Sequence, residues 1–397
     1  MVHLEEEALV EAGRSPYNPF APFKASTINT LLVLIIIFSL FIIDAGAQDT
    51  SKLKLVFAGD IMGHDSQILA AYDAEKDKYD YTECFRHLKP YLQEADIAIG
   101  NLEVTLAGPP YKGYPQFASP DALADALKDA GFDILVNANN HALDRGKQGL
   151  ERTLDVLDQK GLISSGSFES VAGREKRYPL LVEKNDIMLA LLNYTYGTNG
   201  IEPDTPNIIN YIDTLMIRED ISKVKQVDPD FIIACIHWGR EYERTEHSTQ
   251  KDLAEFLFKE GVDAIIGSHP HVIQPVRHYY PEPDSSRFKL VVYSLGNMVS
   301  NQRDRYRNGG ILFEMVLIKA KQTSIGSYAY LPVWVNKPEQ KDKTVFQLIP
   351  ANISESQKDS LSFSDASLDQ FNQFYEDTRI HLENIPESQF FKDYSFR

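Results

Sequence analysis

Six times along this chain a short apolar run stops at a cluster of residues able to bind protons or metals. Residues 53–58 stop at Gly59-Asp60, residues 95–99 at Gly100-Asn101-Leu102-Glu103, and residues 133–136 at a segment ending Asn139-Asn140-His141. Residues 231–236 stop at His237-Trp238-Gly239, residues 262–266 at Gly267-Ser268-His269-Pro270-His271, and residues 289–293 at Ser294 to Asn297. Apolar runs of this length, bounded by turn residues, predict buried strands. Helical spacing lies between several of them: 121–130 with Ser119 as N-cap and Pro120 in the first turn, 149–160 with leucines at 150, 154 and 157, and 249–260. Alternating strands and helices, followed by the strands 289–293, 310–318 and 328–335, predict an α/β sandwich rather than a purely parallel sheet.

In open α/β sheets, ligands sit beyond the carboxyl ends of the strands, where these polar clusters fall. Two imidazoles spaced i, i+2 after a strand can converge on one point, and Pro270 between them prevents helix or ladder from continuing. Asp60, Asn101, Glu103, Asn140, His237, His269 and His271 together predict a shell for one or two divalent ions, with Zn, Fe and Mn suited to imidazole and carboxylate. Two such ions would clamp the attacking and leaving oxygens of a phosphoryl displacement. Asp144 lies three residues after His141, a spacing that orients an imidazole rather than adding a ligand. Glu241, four residues after His237, stands open as an acid, a ligand or a solvated carboxylate beside Arg240 and Arg244.

Each residue alone has a plainer reading: Asp60 as a turn former, Asn140-His141 as a loop hydrogen-bonding unit, His237 as a satisfied core histidine. Six such coincidences at once carry the argument for a site. His64, His87, His247 and His278 fall off the strand ends and read as surface or supporting groups, and Tyr72, Tyr79 and Tyr81 as packing.

A net charge of −17 argues against a nucleic-acid groove, which would show clustered Lys and Arg. Gripping a polyanion would require Arg240, Arg244, Arg303, Arg305 and Arg307 to gather at the mouth of the site. Two cysteines, Cys84 and Cys235, make no disulfide framework. Residues 30–43 are almost wholly apolar and precede an A-x-A pattern ending at Ala47. The expected organisation is a leader (1–27), unusually acidic for a signal n-region, then a signal peptide or signal anchor (28–47). A domain over 52–340 follows, with a C-terminal extension (341–397) packing on it. The expected location is periplasmic or extracytoplasmic, with residues 28–43 as a membrane anchor if the segment stays uncut.

The motifs FAGDIMGH (57–64), GNLE (100–103), NNHALDRG (139–146), HWGREYE (237–243), GSHPHVIQP (267–275) and YSLGN (293–297) resemble the CapA family, named for poly-γ-glutamate capsule biosynthesis. That family is similar to the calcineurin-like metallophosphoesterases. The resemblance covers about residues 53–300 and implies a four-layer α/β/β/α sandwich of the metallophosphoesterase type. It places Asp60 as the first metal-binding aspartate, Asn101 and Glu103 at the bridging acidic motif, and Asn140-His141 as the asparagine–histidine pair. His237 matches the isolated histidine, and His269 with His271 the final pair. Two positions depart from the wider pattern: Met62 stands where a histidine is usual, and Asn101 where an aspartate is usual.

The expectation is an exported metal-dependent hydrolase-like protein that makes, trims or exports a cell-surface polymer. His141, held by Asp144, would be the proton donor. The substrate would be a phosphoester or an amide of a γ-linked glutamate polymer. The alternative is a non-catalytic accessory subunit of a capsule synthesis membrane complex.

Overall fold

The computed structural model describes residues 50–281, 287–340, 343–361, 363–392 and 394, so the expected leader (1–27) and signal segment (28–47) lie outside the described residues. The principal elements are numbered in chain order. The first half holds β1 (Ser51–Ile61), α1 (Asp65–Ala71), β2 (Ile97–Leu102), α2 (Ala122–Ala130), β3 (Ile134–Val136), α3 (Gly146–Gln159) and β4 (Ile163–Ser165). Next come β5 (Leu180–Lys184), β6 (Ile187–Thr195), α4 (Thr214–Val227), β7 (Phe231–His237), α5 (Ser248–Glu260) and β8 (Ala264–Ser268). The chain continues through β9 (Val276–Tyr279), β10 (Lys289–Val292), β11 (Asn297–Val299), β12 (Gly309–Lys319), β13 (Thr323–Asn336), β14 (Gln347–Pro350) and α6 (Asp365–His381).

Two mixed sheets result. The first runs β14-β13-β12-β1-β2-β3-β4, with β11 also pairing to β1; the second runs β9-β10-β8-β7-β6-β5. In the first, β1 to β4 are mutually parallel and β12 to β14 antiparallel. In the second, β6, β7, β8 and β10 are parallel and the two edge strands antiparallel. Strand β7 shows how sequence makes layers. Phe231, Ile233 and Cys235 join a core shared with Leu55 and Phe57 of β1. The alternate residues Ile232, Ala234 and Ile236 pack on Ile221 of α4 and Leu257 of α5. With both faces covered, a strand is apolar at every position, which is why this run shows no alternation. On the other sheet α2 buries Leu123, Ala124 and Leu127. The expected α/β/β/α sandwich is present.

One helix boundary differs from the sequence reading. Helix α2 starts one residue later than expected, with Asp121 rather than Ser119 at its cap. The stretch after α1 makes a two-residue hairpin, Tyr72–Asp73 against Lys78–Tyr79, before two short helical turns. His87, read as a surface or supporting group, is buried. In the tail, α6 buries Phe371 and Phe374, and the Phe371 ring meets Trp334 edge-on at 5.7 Å. Cys84 and Cys235 are both buried and free. Among the described residues no helix is long and apolar enough to cross a membrane.

Candidate metal centre

The carboxyl ends of β1, β2, β7 and β8 meet at one buried cluster. Strand β1 reaches it through a break in register between Ala58 and Asp60. Gly59 fills the break, and a Cβ there would collide with the carbonyl oxygen of Gly296, so only glycine lets the chain bend this closely. The bend sets Asp60 level with Asn101 on one side and Asn297 on the other. Asp60 is fully buried.

From the second sheet, His237 ends β7 opposite Ser268, whose hydroxyl lies 3.0 Å from Nδ1 of the imidazole. Past Ser268 the backbone turns sharply: His269 has φ 99° and His271 φ 58°. A side chain in that region costs on the order of 1–3 kcal/mol, and such residues cluster at functional sites. The turn brings the backbone of His269 and the ring of His271 to Asp60. The His269 amide faces its carboxylate at 3.3 and 3.4 Å, and His271 Nδ1 lies 3.0 Å from Oδ2.

Glu103 completes the group. One of its oxygens, Oε1, is 3.6 Å from His237 Nε2 and 3.8 Å from His271 Nε2, yet it is buried without a hydrogen-bond partner. His269 Nδ1 is likewise buried and unpartnered. Two sets of three ligand atoms lie within 4.8 Å of one another: Asp60, Glu103 and His271, and Glu103, His237 and His269. An orphaned buried polar atom costs about 1–3 kcal/mol, a penalty that a cation would relieve. These residues fit a divalent ion.

The electrostatics agree with the geometry. Burial drives the Glu103 carboxyl well above its ordinary range, and the neighbouring Asp60 charge adds to the effect. Burial also acts to raise Asp60, but hydrogen bonding and charge from His271, with the Asn101 amide, hold it below the usual carboxylate value. Burial pushes His237 far down and His269 to about 3, with the neighbouring imidazoles adding to both shifts. Both imidazoles are therefore neutral, the form that ligates metal.

Asn101 faces the cluster through its nitrogen: Nδ2 is 2.8 Å from Asp60 Oδ1 and 3.4 Å from Glu103 Oε2, while its oxygen accepts from Asn139 at 3.2 Å. Asn140 places its oxygen 2.8 Å from His237 Nε2. His141 lies beside the cluster, with Nδ1 held at 2.8 Å by Asp144, which also accepts from the Phe117 amide at 2.7 Å. The spacing-based pairing of these two residues is realised. Glu241 is the outlier: the chain swings outward through left-handed Gly239 and Tyr242, leaving its side chain exposed. Its charge still reaches Glu103 and Tyr196.

Several further residues support the cluster. Asn139 ties the Asn101 oxygen to the His141 amide. Tyr196 lies parallel to His237 at 6.2 Å and 4.5 Å from the His269 ring, forming a half-exposed wall. The polar composition of 196–206 reads as a loop near the site, without singling out its first residue. Around Tyr242 and Tyr306, Arg307 and Arg244 stack at 4.1 and 4.0 Å. Arg305 is engaged by Asp377 and Arg303 by the carbonyl of Val335.

Residues 54–302 match the family model described as bacterial capsule synthesis protein PGA_cap. The capsule biosynthesis protein CapA of Bacillus anthracis is 29% identical over 271 residues, 64% of this chain; the chain spans only 61% of that relative's length. The PGA biosynthesis protein CapA of Bacillus subtilis (strain 168) is 27% identical over 321 residues, covering 76% of this chain and 81% of the relative. Among solved structures, a 5'-nucleotidase from Candida albicans aligns over 83% of this chain and 58% of its own, at 10% identity and a TM-score of 0.37. A likeness that weak says nothing about chemistry.

Proposed function

Because the chain belongs to the bacterial capsule synthesis protein PGA_cap family, we propose that it is a metal-dependent hydrolase acting on a capsular or cell-surface polymer such as poly-γ-glutamate. The observation that carries this reading is the pair of unpartnered buried ligand atoms, Glu103 Oε1 and His269 Nδ1, beside the His141–Asp144 pair. Asp60, Glu103, His237, His269 and His271 would hold the ion, with Mn, Fe or Zn suited to this mixture of imidazole and carboxylate. Such an ion supplies Lewis-acid polarisation of the scissile group and activation of water.

The chain's own residues do the rest. Asp144 engages Nδ1 of His141 and fixes the ring, so Nε2 is the nitrogen left to pass a proton to the leaving group. Tyr196 walls one side of the imidazole cluster and limits how a substrate can approach. Export through residues 28–47, to a periplasmic or extracytoplasmic location, is part of the proposal. The scissile bond would be a phosphoester or a γ-glutamyl amide.

One observation favours a second reading. Asn101 and Met62 stand where stronger ligands are usual, and Met62 is packed into the apolar core. That favours an accessory role in a capsule synthesis membrane complex, with the cluster kept for binding. The test is turnover of a phosphodiester probe and of a γ-glutamyl oligomer by the full chain supplied with Mn(II), Fe(II) or Zn(II). Hydrolysis lost in His141→Ala supports the enzyme. Bound metal with neither probe cleaved supports the accessory role, and a chain that binds no metal overturns both.

A further inference from the structure

We propose that the Arg307 guanidinium, laid over the Tyr242 ring beside the imidazole cluster, is a recognition subsite that selects a polymer with a free carboxylate flanking its scissile bond. The inference rests on the polymer-substrate reading above and adds the chemical class of the group next to the reacting one. A row of rings leads from the cluster to this arginine. Tyr196 lies 4.5 Å from His269, His269 6.0 Å from His271, and His271 6.1 Å from Tyr242, with Arg307 4.1 Å over the Tyr242 ring. The tyrosines at the ends of the row are 48% and 43% exposed, so a chain laid along it meets the histidines in the middle and Arg307 at one end.

This platform is built onto the site. The Tyr242 amide donates to the Pro270 carbonyl at 2.8 Å, between the two histidines of the turn. Tyr242 takes a left-handed backbone there, φ 68°, which a bulky residue adopts only where its surroundings hold it. From the other side, the buried Asn297 amide reaches the His271 carbonyl at 3.3 Å and the Arg307 carbonyl at 2.8 Å. One side chain thus fixes the main chain of a cluster histidine and of the arginine.

The neighbouring arginines are committed elsewhere. Arg305 makes two bonds to Asp377, Arg303 donates to the Val335 carbonyl, and Arg244 covers Tyr306 and donates to the Asp377 carbonyl. Arg307 pairs with Asp304, whose side chain is 71% exposed. An exposed pair of this kind contributes little, so a substrate carboxylate can take the place of Asp304. Guanidinium offers a planar fork that matches a carboxylate while its face stacks on an aromatic ring, and lysine does neither. A γ-linked glutamate chain supplies the matching group, because γ-linkage leaves the α-carboxylate of every unit free.

The test titrates a γ-linked triglutamate, and the same oligomer with its α-carboxylates converted to amides, into the chelator-treated full chain by calorimetry. The acid should bind about 10-fold or more tightly than the amide. Arg307→Gln should abolish that preference without changing affinity for the amide, and Arg307→Lys should restore only part of it. Asp304→Asn, which removes the competing carboxylate, should tighten the acid and leave the amide alone. Circular dichroism verifies folding; should Arg307→Gln fail to fold, the acid–amide comparison and Asp304→Asn still decide. Equal affinity for acid and amide, no binding of either, or a preference that survives Arg307→Gln would overturn the inference. A poly(glycerol phosphate) oligomer of equal charge that binds as tightly would overturn the assignment to carboxylate. Hydrolysis of the γ-glutamyl oligomer by the Zn(II)-loaded chain with KM unchanged in Arg307→Gln would sink the subsite and leave the hydrolase standing, whereas Arg307-dependent binding without turnover would do the reverse.

Discussion

His271 Nδ1 meets Asp60 Oδ2 at 3.0 Å across 211 residues of chain, joining the turn after β8 in one sheet to the first polar cluster of the other. Both side chains are buried, at 3% and 0% exposure, so this contact pins the two sheets together at the site. Removing one member of a buried pair strands the other, at a cost of about 3–5 kcal/mol. His271→Ala should therefore lower the unfolding free energy of the chelator-treated chain by roughly 3 kcal/mol. Urea denaturation measures this; a loss under about 1 kcal/mol would mean that Asp60 has other adequate partners.

Acid should weaken the metal-free protein through its neutral imidazoles. Burial holds His237 and His269 below the unfolded value of 6.5, so at mildly acidic pH the unfolded chain binds more protons than the native one. Their contribution is complete above pH 6.5 and is lost as pH falls, for His269 down to about 3. Glu103 acts oppositely: its raised carboxyl favours the native state at low pH, and that contribution is lost as pH rises through its folded value. Each histidine contributes a slope of about 1.4 kcal/mol per pH unit. His269→Gln should flatten the stability profile between pH 6 and 5 by that amount, and parallel profiles for variant and wild type would contradict the assignment.

Asp144 is a positioning residue in the proposed reaction. Asp144→Asn keeps the size of the side chain but cannot hold the His141 ring as a carboxylate does, so kcat should fall by about 10²-fold with KM and the thermal midpoint little changed. Steady-state kinetics across pH would show it, because a purely structural residue would change the melting temperature and leave the pH profile of kcat alone.

Gly59 controls where Asp60 points. An added Cβ would meet the Gly296 carbonyl, which is main chain and has no rotamer to yield. Gly59→Ala should cost on the order of 3 kcal/mol and reduce Mn(II) affinity, even though the substituted residue touches no ligand. Calorimetric titration alongside denaturation separates the two effects; unchanged affinity with lowered stability would mean that the bend is not what aims Asp60.

The sequence alone determined the strands, their order of polar endings and the residue types at each ending. A fully buried strand must be apolar throughout and must stop where its chain meets the ligand face, so 231–236 followed by His237, or 262–266 followed by Ser268-His269, could be read without a fold. The His141–Asp144 pairing was equally local, being a matter of three residues. Only the tertiary structure decided what each ending does. Whether Asn101 offers oxygen or nitrogen depends on Asn139, which belongs to another strand ending. Glu241 left the cluster through left-handed backbone at Gly239 and Tyr242, and Tyr196 entered its wall from a loop whose composition placed it near the site but did not single out that residue. Spacing along a chain fixes which residues share a strand end or a turn; direction of approach, burial and hydrogen-bond partner are set by the other sheet, hundreds of residues away.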